Sequence, residues 1–172
     1  DKTRFGESAL MIKEVKKLFD NIYTVNNGNI EGGDILRIND HFIVGLSSRT
    51  NEEGAKNLSK ILNSLGASIE ITETPKNILH FKSECSLIDD DTILLTKKMI
   101  ENNVFKKKYK YLEIPKGEEI AANSLRVNNN LLIPSGCPKT KEMLSKNYNI
   151  IPLNVDEVFK VDAGLSCMSL RW

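Results

Sequence analysis

Three residues far apart in the sequence have side chains suited to nucleophilic catalysis: Cys167, His80 and Glu31. Cys167 lies in the terminal stretch 162–172, where apolar and polar residues alternate as in a β-strand. The alternation predicts a strand over 165–170 that holds the thiol rigidly. A lone cysteine on a strand is more often inert core, so this stretch alone leaves the role of Cys167 open.

The candidate partners of the thiol, Glu31 and His80, occupy similar positions in two predicted hairpins. Glu31 begins the sequence Glu-Gly-Gly-Asp at 31–34, and His80 lies in the predicted first strand of the next hairpin. A thiolate can attack, an imidazole can transfer the proton, and a carboxylate can orient the imidazole. A structural histidine and a glutamate in a turn explain the same residues, so this alternative also stays open.

The elements that must position these residues form an internal repeat. Amphipathic spacing predicts a helix over 8–19, followed by a strand over 21–25. A hairpin, a helix and a strand then follow in that order three times, with hairpin turns near 39–40, 89–91 and 128–130. Repeats that each bury one face against a neighbour favour a ring or a stack of α/β units. Equivalent positions in such a ring converge on its axis, which would bring Glu31, His80 and Cys167 together.

The repeat divides the chain into one domain with five segments. Residues 1–25 read as half a unit, residues 30–73, 78–114 and 121–152 as three whole units, and residues 153–172 as a closing segment that carries the cysteine. A closed ring would need a further hairpin before residue 1. The chain is therefore expected to be a fragment whose sheet surfaces near both ends are covered by a missing N-terminal segment or by a homo-oligomer.

Composition excludes several classes of function. The 172 residues include 24 Lys and Arg against 23 Asp and Glu, so a net charge of +1 gives no reason to expect nucleic acid or membrane partners. No apolar run approaches the length of a membrane span, and no signal peptide is recognisable. The basic run 105–111 is typical of a solvated face. Three cysteines without metal-ligand spacing favour a reducing cytoplasm and predict no metal site.

Four segments together resemble the dimethylarginine dimethylaminohydrolase family of guanidino-group modifying enzymes. They are Glu-Gly-Gly-Asp at 31–34, Gly-Leu-Ser-Ser-Arg-Thr-Asn at 45–51, Leu-His-Phe-Lys-Ser-Glu-Cys-Ser at 79–86 and Val-Asp-Ala-Gly-Leu-Ser-Cys at 161–167. The resemblance covers nearly the whole chain. It implies an α/β fold, a pseudo-fivefold ring (α/β propeller) of ββαβ units with the site on the axis, and this agrees with the repeat.

The resemblance also implies a role for each matched residue. Cys167 would attack the guanidinium carbon of an N-methylated arginine, and His80, held by Glu31, would protonate the departing amine. Water would then release citrulline from a covalent thiouronium. Arg49 and Arg4 would bind the α-carboxylate, and the carbonyl of Val161 would accept the α-amino group. The substrate is a small arginine derivative, and no cofactor or metal is implied.

Two departures from the family pattern bear on the substrate. The acidic residues that bind the guanidinium in this family lie mostly before residue 1, so the isolated 172 residues are expected to lack activity. Lys82 stands where related arginine deiminases carry an aspartate, and this favours N-methylated over free arginine. An arginine deiminase, an amidinotransferase and a non-catalytic binding module of similar fold remain as alternatives.

Overall fold

The computed structural model describes residues 6–106 and 109–169, and three small sheets form the frame of this part of the chain. Each sheet has three strands: an antiparallel hairpin, and a third strand that pairs parallel with the second after a helical crossover. The first sheet is formed by β1 (Ile35–Ile38), β2 (His41–Leu46) and β3 (Ser68–Glu73), and helix α2 (Glu52–Ser64) connects β2 to β3. The second sheet is formed by β4 (Cys85–Leu87), β5 (Thr92–Leu95) and β6 (Lys110–Glu113), and helix α3 (Lys97–Glu101) connects β5 to β6. The third sheet is formed by β7 (Leu125–Val127), β8 (Asn130–Pro134) and β9 (Asn149–Leu153), and helix α4 (Pro138–Leu144) connects β8 to β9.

The middle strand of each sheet is its most buried element. All four residues of β5 are buried, and Ile43 and Val44 of β2 have no exposed surface. Such strands read as continuous apolar runs because they are covered on both faces. One hydrophobic cluster joins the first and second sheets and includes Phe81 and Met99. A separate cluster joins the second and third sheets, so the second sheet lies between the other two.

A short 3₁₀ turn precedes the first strand of every sheet. The three turns are Gly32–Asp34, Phe81–Ser83 and Glu119–Ala122. The first turn contacts the second, and the second contacts the third. The residues around these turns therefore converge in the centre of the described structure.

Each 3₁₀ turn is tied to the helix of its own sheet by an acid and a threonine. The acid lies at an end of the turn, and the threonine lies near the start of the helix. The Thr Oγ1 to carboxylate distances are 2.6 Å for Thr50–Asp34, 2.6 Å for Thr96–Glu84 and 2.7 Å for Thr140–Glu118. In all three sheets, this hydrogen bond joins the residues just before the first strand of the hairpin to the residues just after its second strand.

The N-terminal part of the described chain corrects one expectation. The predicted first helix is confirmed as α1 (Glu7–Val15), although none of its residues is buried. The strand predicted over 21–25 is wrong, because these residues adopt no regular structure and no described strand pairs with them.

The C-terminal strand predicted over 165–170 is also wrong as far as the structure describes it. After a short helix, α5 (Asp156–Phe159), residues 165–168 form turns. The N–H of Cys167 donates to the carbonyl of Gly164 at 3.1 Å, and Ser169 donates to Ser166 at 3.2 Å. Local hydrogen bonds thus replace the ladder that the alternating pattern predicted.

The α/β class is confirmed, since mixed sheets and crossover helices make up the described fold. Within residues 6–106 and 109–169 the three sheets remain separate and do not close into a barrel. None of the helices in these ranges combines the length and the apolar character needed to cross a membrane.

Candidate active site

Glu31 and His80 form the centre of the candidate site. His80 Nε2 lies 2.6 Å from Glu31 Oε2, and each side chain is 17% exposed. Glu31 immediately precedes the first 3₁₀ turn and His80 immediately precedes the second, so contact between the turns brings the two side chains together. His80 was predicted to lie within a strand, and this is wrong, because β4 starts only at Cys85. The short bond to a carboxylate fixes the orientation of the imidazole.

Gly33 is required for the position of the imidazole. A Cβ atom built at Gly33 would lie 2.7 Å from His80 Cγ and 2.8 Å from Cδ2, closer than side chains can pack. A Cβ at the neighbouring Gly32 would meet nothing within 4 Å. Of the two glycines in the Glu-Gly-Gly-Asp segment, only Gly33 is therefore demanded by close packing.

Asp34 connects the loops that carry the candidate residues. Its carboxylate is fully buried and accepts hydrogen bonds from Ser47 Oγ (2.8 Å), Thr50 Oγ1 (2.6 Å) and the backbone N–H of Phe81 (2.9 Å). The last of these residues follows His80 directly. Asp34 thus holds the histidine loop and the loop at 47–50 in fixed positions, a role that its place in the motif did not reveal.

Arg49 lies in the loop fixed by Asp34, beside the Glu31–His80 pair. Its Nη1 is 3.5 Å from Glu31 Oε1, and its side chain is 27% exposed. The backbone N–H of Arg49 donates to Ser47 Oγ at 3.0 Å. The structure therefore brings Glu31, His80 and Arg49 together, with a guanidinium available near the surface for an anionic group.

Cys167 is exposed, in contrast to the other two cysteines of the chain, which are buried. Burial raises the pKa values of the Cys85 and Cys137 thiols, which disfavours their thiolates. No hydrogen bond joins Cys167 to His80, although both lie in the described part of the chain. The contact of the thiol is instead with Asn123, whose Nδ2 lies 3.6 Å from the sulfur.

Asn123 was not predicted as a site residue. It follows the third 3₁₀ turn, whereas Glu31 and His80 precede the first two. The repeat therefore did not point to this position, because the residue that precedes the third turn is Glu118.

The two remaining predicted site residues are Val161 and Arg4. Val161 follows α5 in a turn and is 73% exposed. Arg4 lies outside the described residues.

Comparison with known proteins decides the family. A sequence model of the arginine deiminase family matches residues 11–163. The chain belongs to the arginine deiminase family. The dimethylarginine dimethylaminohydrolase of Pseudomonas aeruginosa is 32% identical over 173 residues, which cover 99% of this chain and 67% of the relative. The resemblance drawn from the four segments is thereby confirmed.

Solved structures of family members agree with the fold. A Cys-to-Ser mutant of the Pseudomonas aeruginosa enzyme complexed with citrulline superposes on all of this chain and 68% of its own, with a TM-score of 0.91 and 31% identity. A His-to-Gly mutant of a dimethylarginine dimethylaminohydrolase, an adduct with S-methyl-L-thiocitrulline, gives a TM-score of 0.93 at 31% identity and the same coverage. Three curated relatives match nearly the whole of this chain. The chain spans 63% to 67% of their length.

Proposed function

We propose that the complete protein hydrolyses the guanidino group of N-methylated arginine to give citrulline and a methylamine. The observation that carries this proposal is the Glu31–His80 pair at 2.6 Å with Arg49 beside it. A carboxylate-held imidazole next to a guanidinium suits acid–base chemistry on a substrate anchored by its carboxylate. Relatives more than 30% identical are dimethylarginine dimethylaminohydrolases, one of them complexed with citrulline.

In the proposed reaction, the thiolate of Cys167 attacks the guanidinium carbon and forms a C–S bond. The C–N bond to the methylated nitrogen breaks, and protonated His80 gives its proton to the departing amine. Neutral His80 then takes a proton from water, whose oxygen attacks the same carbon. The C–S bond breaks, the thiolate returns, and the ureido group of citrulline remains. Glu31 holds the imidazole in the same orientation throughout.

The binding roles follow from the same arrangement. Arg49 binds the α-carboxylate with its planar fork of donors, and the carbonyl of Val161 accepts the α-amino group. Arg4 completes the carboxylate site. The exposed position of Cys167 leaves its sulfur accessible to a substrate held in this way.

The three sheets are proposed to belong to a pseudo-fivefold ring with the site near its axis. The contacts between successive 3₁₀ turns support this, because they place the starts of the first strands side by side. In this arrangement residues 30–73, 78–114 and 121–152 are whole units, residues 1–25 are part of a unit, and residues 153–172 close the site. The protein is proposed to act in the cytoplasm.

The alternative activities predict different products. An arginine deiminase would release ammonia from free arginine, and an amidinotransferase would transfer the amidino group to an amine such as glycine. A binding module would leave every substrate unchanged. Lys82, which lies two residues after His80, and the names of the relatives both favour the methylated substrate.

The test incubates the complete protein with asymmetric dimethylarginine, with arginine, and with arginine plus glycine, and identifies products by mass spectrometry. Citrulline and dimethylamine should form from the methylated substrate at a much higher kcat/KM than citrulline from arginine. Exclusive conversion of arginine, transfer to glycine, or no turnover would each contradict the proposal.

A further inference from the structure

The side-chain amide of Asn123 binds the turn that carries Cys167 through both of its polar atoms. Its Oδ1 accepts from the backbone N–H of Ser166 at 2.8 Å, and its Nδ2 lies 3.6 Å from Cys167 Sγ. The amide also packs against Gly164, where a built Cβ would lie 2.6 Å from both Asn123 Cγ and Nδ2. One side chain therefore contacts Gly164, Ser166 and Cys167.

Asn123 is itself held by the buried centre of the third sheet. It follows the 3₁₀ turn Glu119–Ala122, in which Ala121 and Ala122 are fully buried. Its backbone N–H donates to Ile120 at 3.2 Å, and the next residue, Ser124, donates from Oγ to Ala121 at 2.7 Å. The amide of Asn123 thus extends from a buried segment of the chain, whereas the turn that carries Cys167 has local backbone hydrogen bonds.

The hydrogen-bond network determines which end of the amide faces the sulfur. A backbone N–H can only donate, so the group that contacts Ser166 must be the amide oxygen. The NH₂ group is consequently directed to Cys167 Sγ. A donor directed at a thiol stabilises the thiolate more than the neutral thiol, because the charged sulfur is the stronger acceptor.

We propose that Asn123 is a positioning residue that orients the Cys167 turn and stabilises the thiolate of Cys167. This inference rests on the proposed function, in which that thiolate is the nucleophile. Asn123 would act twice in each turnover. It stabilises the thiolate before the C–S bond forms, and it stabilises the same thiolate as the leaving group when water displaces it from the covalent intermediate.

Asn123→Asp separates the two roles of the amide. The aspartate keeps an oxygen acceptor for the N–H of Ser166, but it presents oxygen instead of N–H to the sulfur. Alkylation of Cys167 by iodoacetamide, located by mass spectrometry, should be slower at pH 7 by about tenfold or more, with its pH profile displaced upward. In the complete protein kcat should fall by a similar factor, while KM stays within about twofold.

Two further variants complete the test. Gly164→Ala leaves Asn123 in place but introduces a Cβ against its amide, so it should also slow alkylation. Asn149→Asp makes the same chemical change at the exposed first residue of β9 and should alkylate at the parent rate. If both Asn123→Asp and Gly164→Ala alkylate at the parent rate and with the parent pH profile, the inference is wrong. Asn123 would then have no effect on the thiol of Cys167 beyond any support of the fold.

Cys167→Ser distinguishes this inference from the proposed function. If the serine variant keeps turning over substrate, the proposed function is wrong and the nucleophile lies elsewhere. If the serine variant is inactive while Asn123→Asp and Gly164→Ala both alkylate like the parent, only the role of Asn123 is wrong. Slow alkylation of both variants supports the inference without any measurement of activity, because Gly164→Ala adds no charge beside the sulfur whereas Asn123→Asp does.

Discussion

The carboxylate of Glu31 serves two neighbours with different oxygens. Oε2 lies 2.6 Å from His80 Nε2, and Oε1 lies 3.5 Å from Arg49 Nη1. The shorter contact orients the imidazole, and the longer one is a looser electrostatic contact that leaves Arg49 able to bind another anion. In the proposed function that anion is the α-carboxylate of the substrate, so Glu31 couples substrate binding to the orientation of His80.

Cys167→Ser should abolish turnover in the complete protein without changing its fold. A hydroxyl cannot supply a comparable nucleophilic anion near neutral pH. Citrulline formation and thermal unfolding measure the two parts of the prediction. Cys137→Ala, which alters a buried thiol, should retain activity if it folds. A serine variant with a substantial fraction of parent activity would contradict the assignment of the nucleophile.

Arg49→Lys should raise KM by roughly tenfold, because an ammonium cannot replace a planar two-donor fork and a charge-assisted pair contributes about 1.5–3 kcal/mol. Steady-state kinetics with dimethylarginine measure the effect. Arg37→Lys is the matched control, since Arg37 lies on β1 with a largely exposed side chain. An unchanged KM in Arg49→Lys would mean that Arg49 is a structural arginine.

Gly33→Ala and Gly32→Ala form a matched pair of adjacent substitutions. The new methyl at Gly33 would lie 2.7 Å from His80 Cγ and must displace the imidazole, whereas the methyl at Gly32 meets open space. We expect Gly33→Ala to lose at least about 100-fold in kcat, since a displacement of this size commonly costs that factor, and Gly32→Ala to remain within a few-fold of the parent. Equal activity of the two variants would show that the imidazole tolerates displacement.

At the level of elements, sequence patterns predicted the hairpins and helices well but not their ends. The turn at 39–40 is confirmed by the pairing of Ile38 with His41, and Gly66 has the positive φ expected after α2. The spacing of Thr50 and Glu53 is typical of a capping box with Thr50 as the N-cap, but the N-cap is Asn51, whose side chain accepts from Gly54 N–H. Thr50 donates to Asp34 instead, because a buried carboxylate is a stronger partner than the helix end.

The strands predicted at His80 and Cys167 are wrong because a local sequence pattern does not show which backbone groups pair in the fold. Local alternation predicts strands at both positions, since it records only which residues are apolar. Whether a strand forms depends on a partner for its backbone. Near Cys167 the side chain of Asn123, which is 43 residues away, accepts from the N–H of Ser166, and no local pattern contains that information.

The link between Glu118 and Thr140 should give stability that depends on pH. Burial alone would raise the pKa of Glu118, but hydrogen bonds from Thr140 and from the N–H of Lys139 hold it below its ordinary value of 4.5. A carboxyl whose folded pKa is depressed stabilises the fold fully above its unfolded pKa. This contribution is lost as the pH falls through the folded pKa.

Thr140→Val, which removes one of these donors, should therefore lower the free energy of unfolding by about 1–2 kcal/mol at pH 7 and by less at pH 3. Urea unfolding at both pH values measures the difference. Thr24→Val, at an exposed position without regular structure, is the control. An equal loss of stability at both pH values would show that the ionised form of Glu118 is not what the hydroxyl stabilises.

For the whole molecule, the repeat was the most informative sequence feature because it concerns long-range arrangement. It predicted that positions at the starts of successive hairpins converge, and the structure brings Glu31 and His80 within hydrogen-bond distance across 49 residues. Asn123, at the third such start, contacts Cys167. The site is thus built from the starts of three sheets, each fixed by its own acid and threonine.

Large apolar side chains are exposed at both ends of the described structure. Leu10 of α1 is 78% exposed and Leu18 is 65% exposed, and near the other end Phe159 and Val161 are exposed as well. Exposed apolar surface of this kind promotes association in water. We therefore expect the 172 residues, prepared alone, to self-associate.

Sedimentation velocity over a range of concentrations measures this association, and the double substitution Leu10→Glu with Leu18→Glu should shift the distribution towards monomer. The control is the double substitution Val127→Glu with Ile151→Glu, which adds the same two charges at partly exposed positions of β7 and β9 and should leave the distribution unchanged. An equal shift in the control would show that added charge in general, and not the surface around Leu10 and Leu18, controls the association. A parent that stays monomeric over the whole concentration range would contradict the expectation, because the exposed apolar side chains would then not drive association.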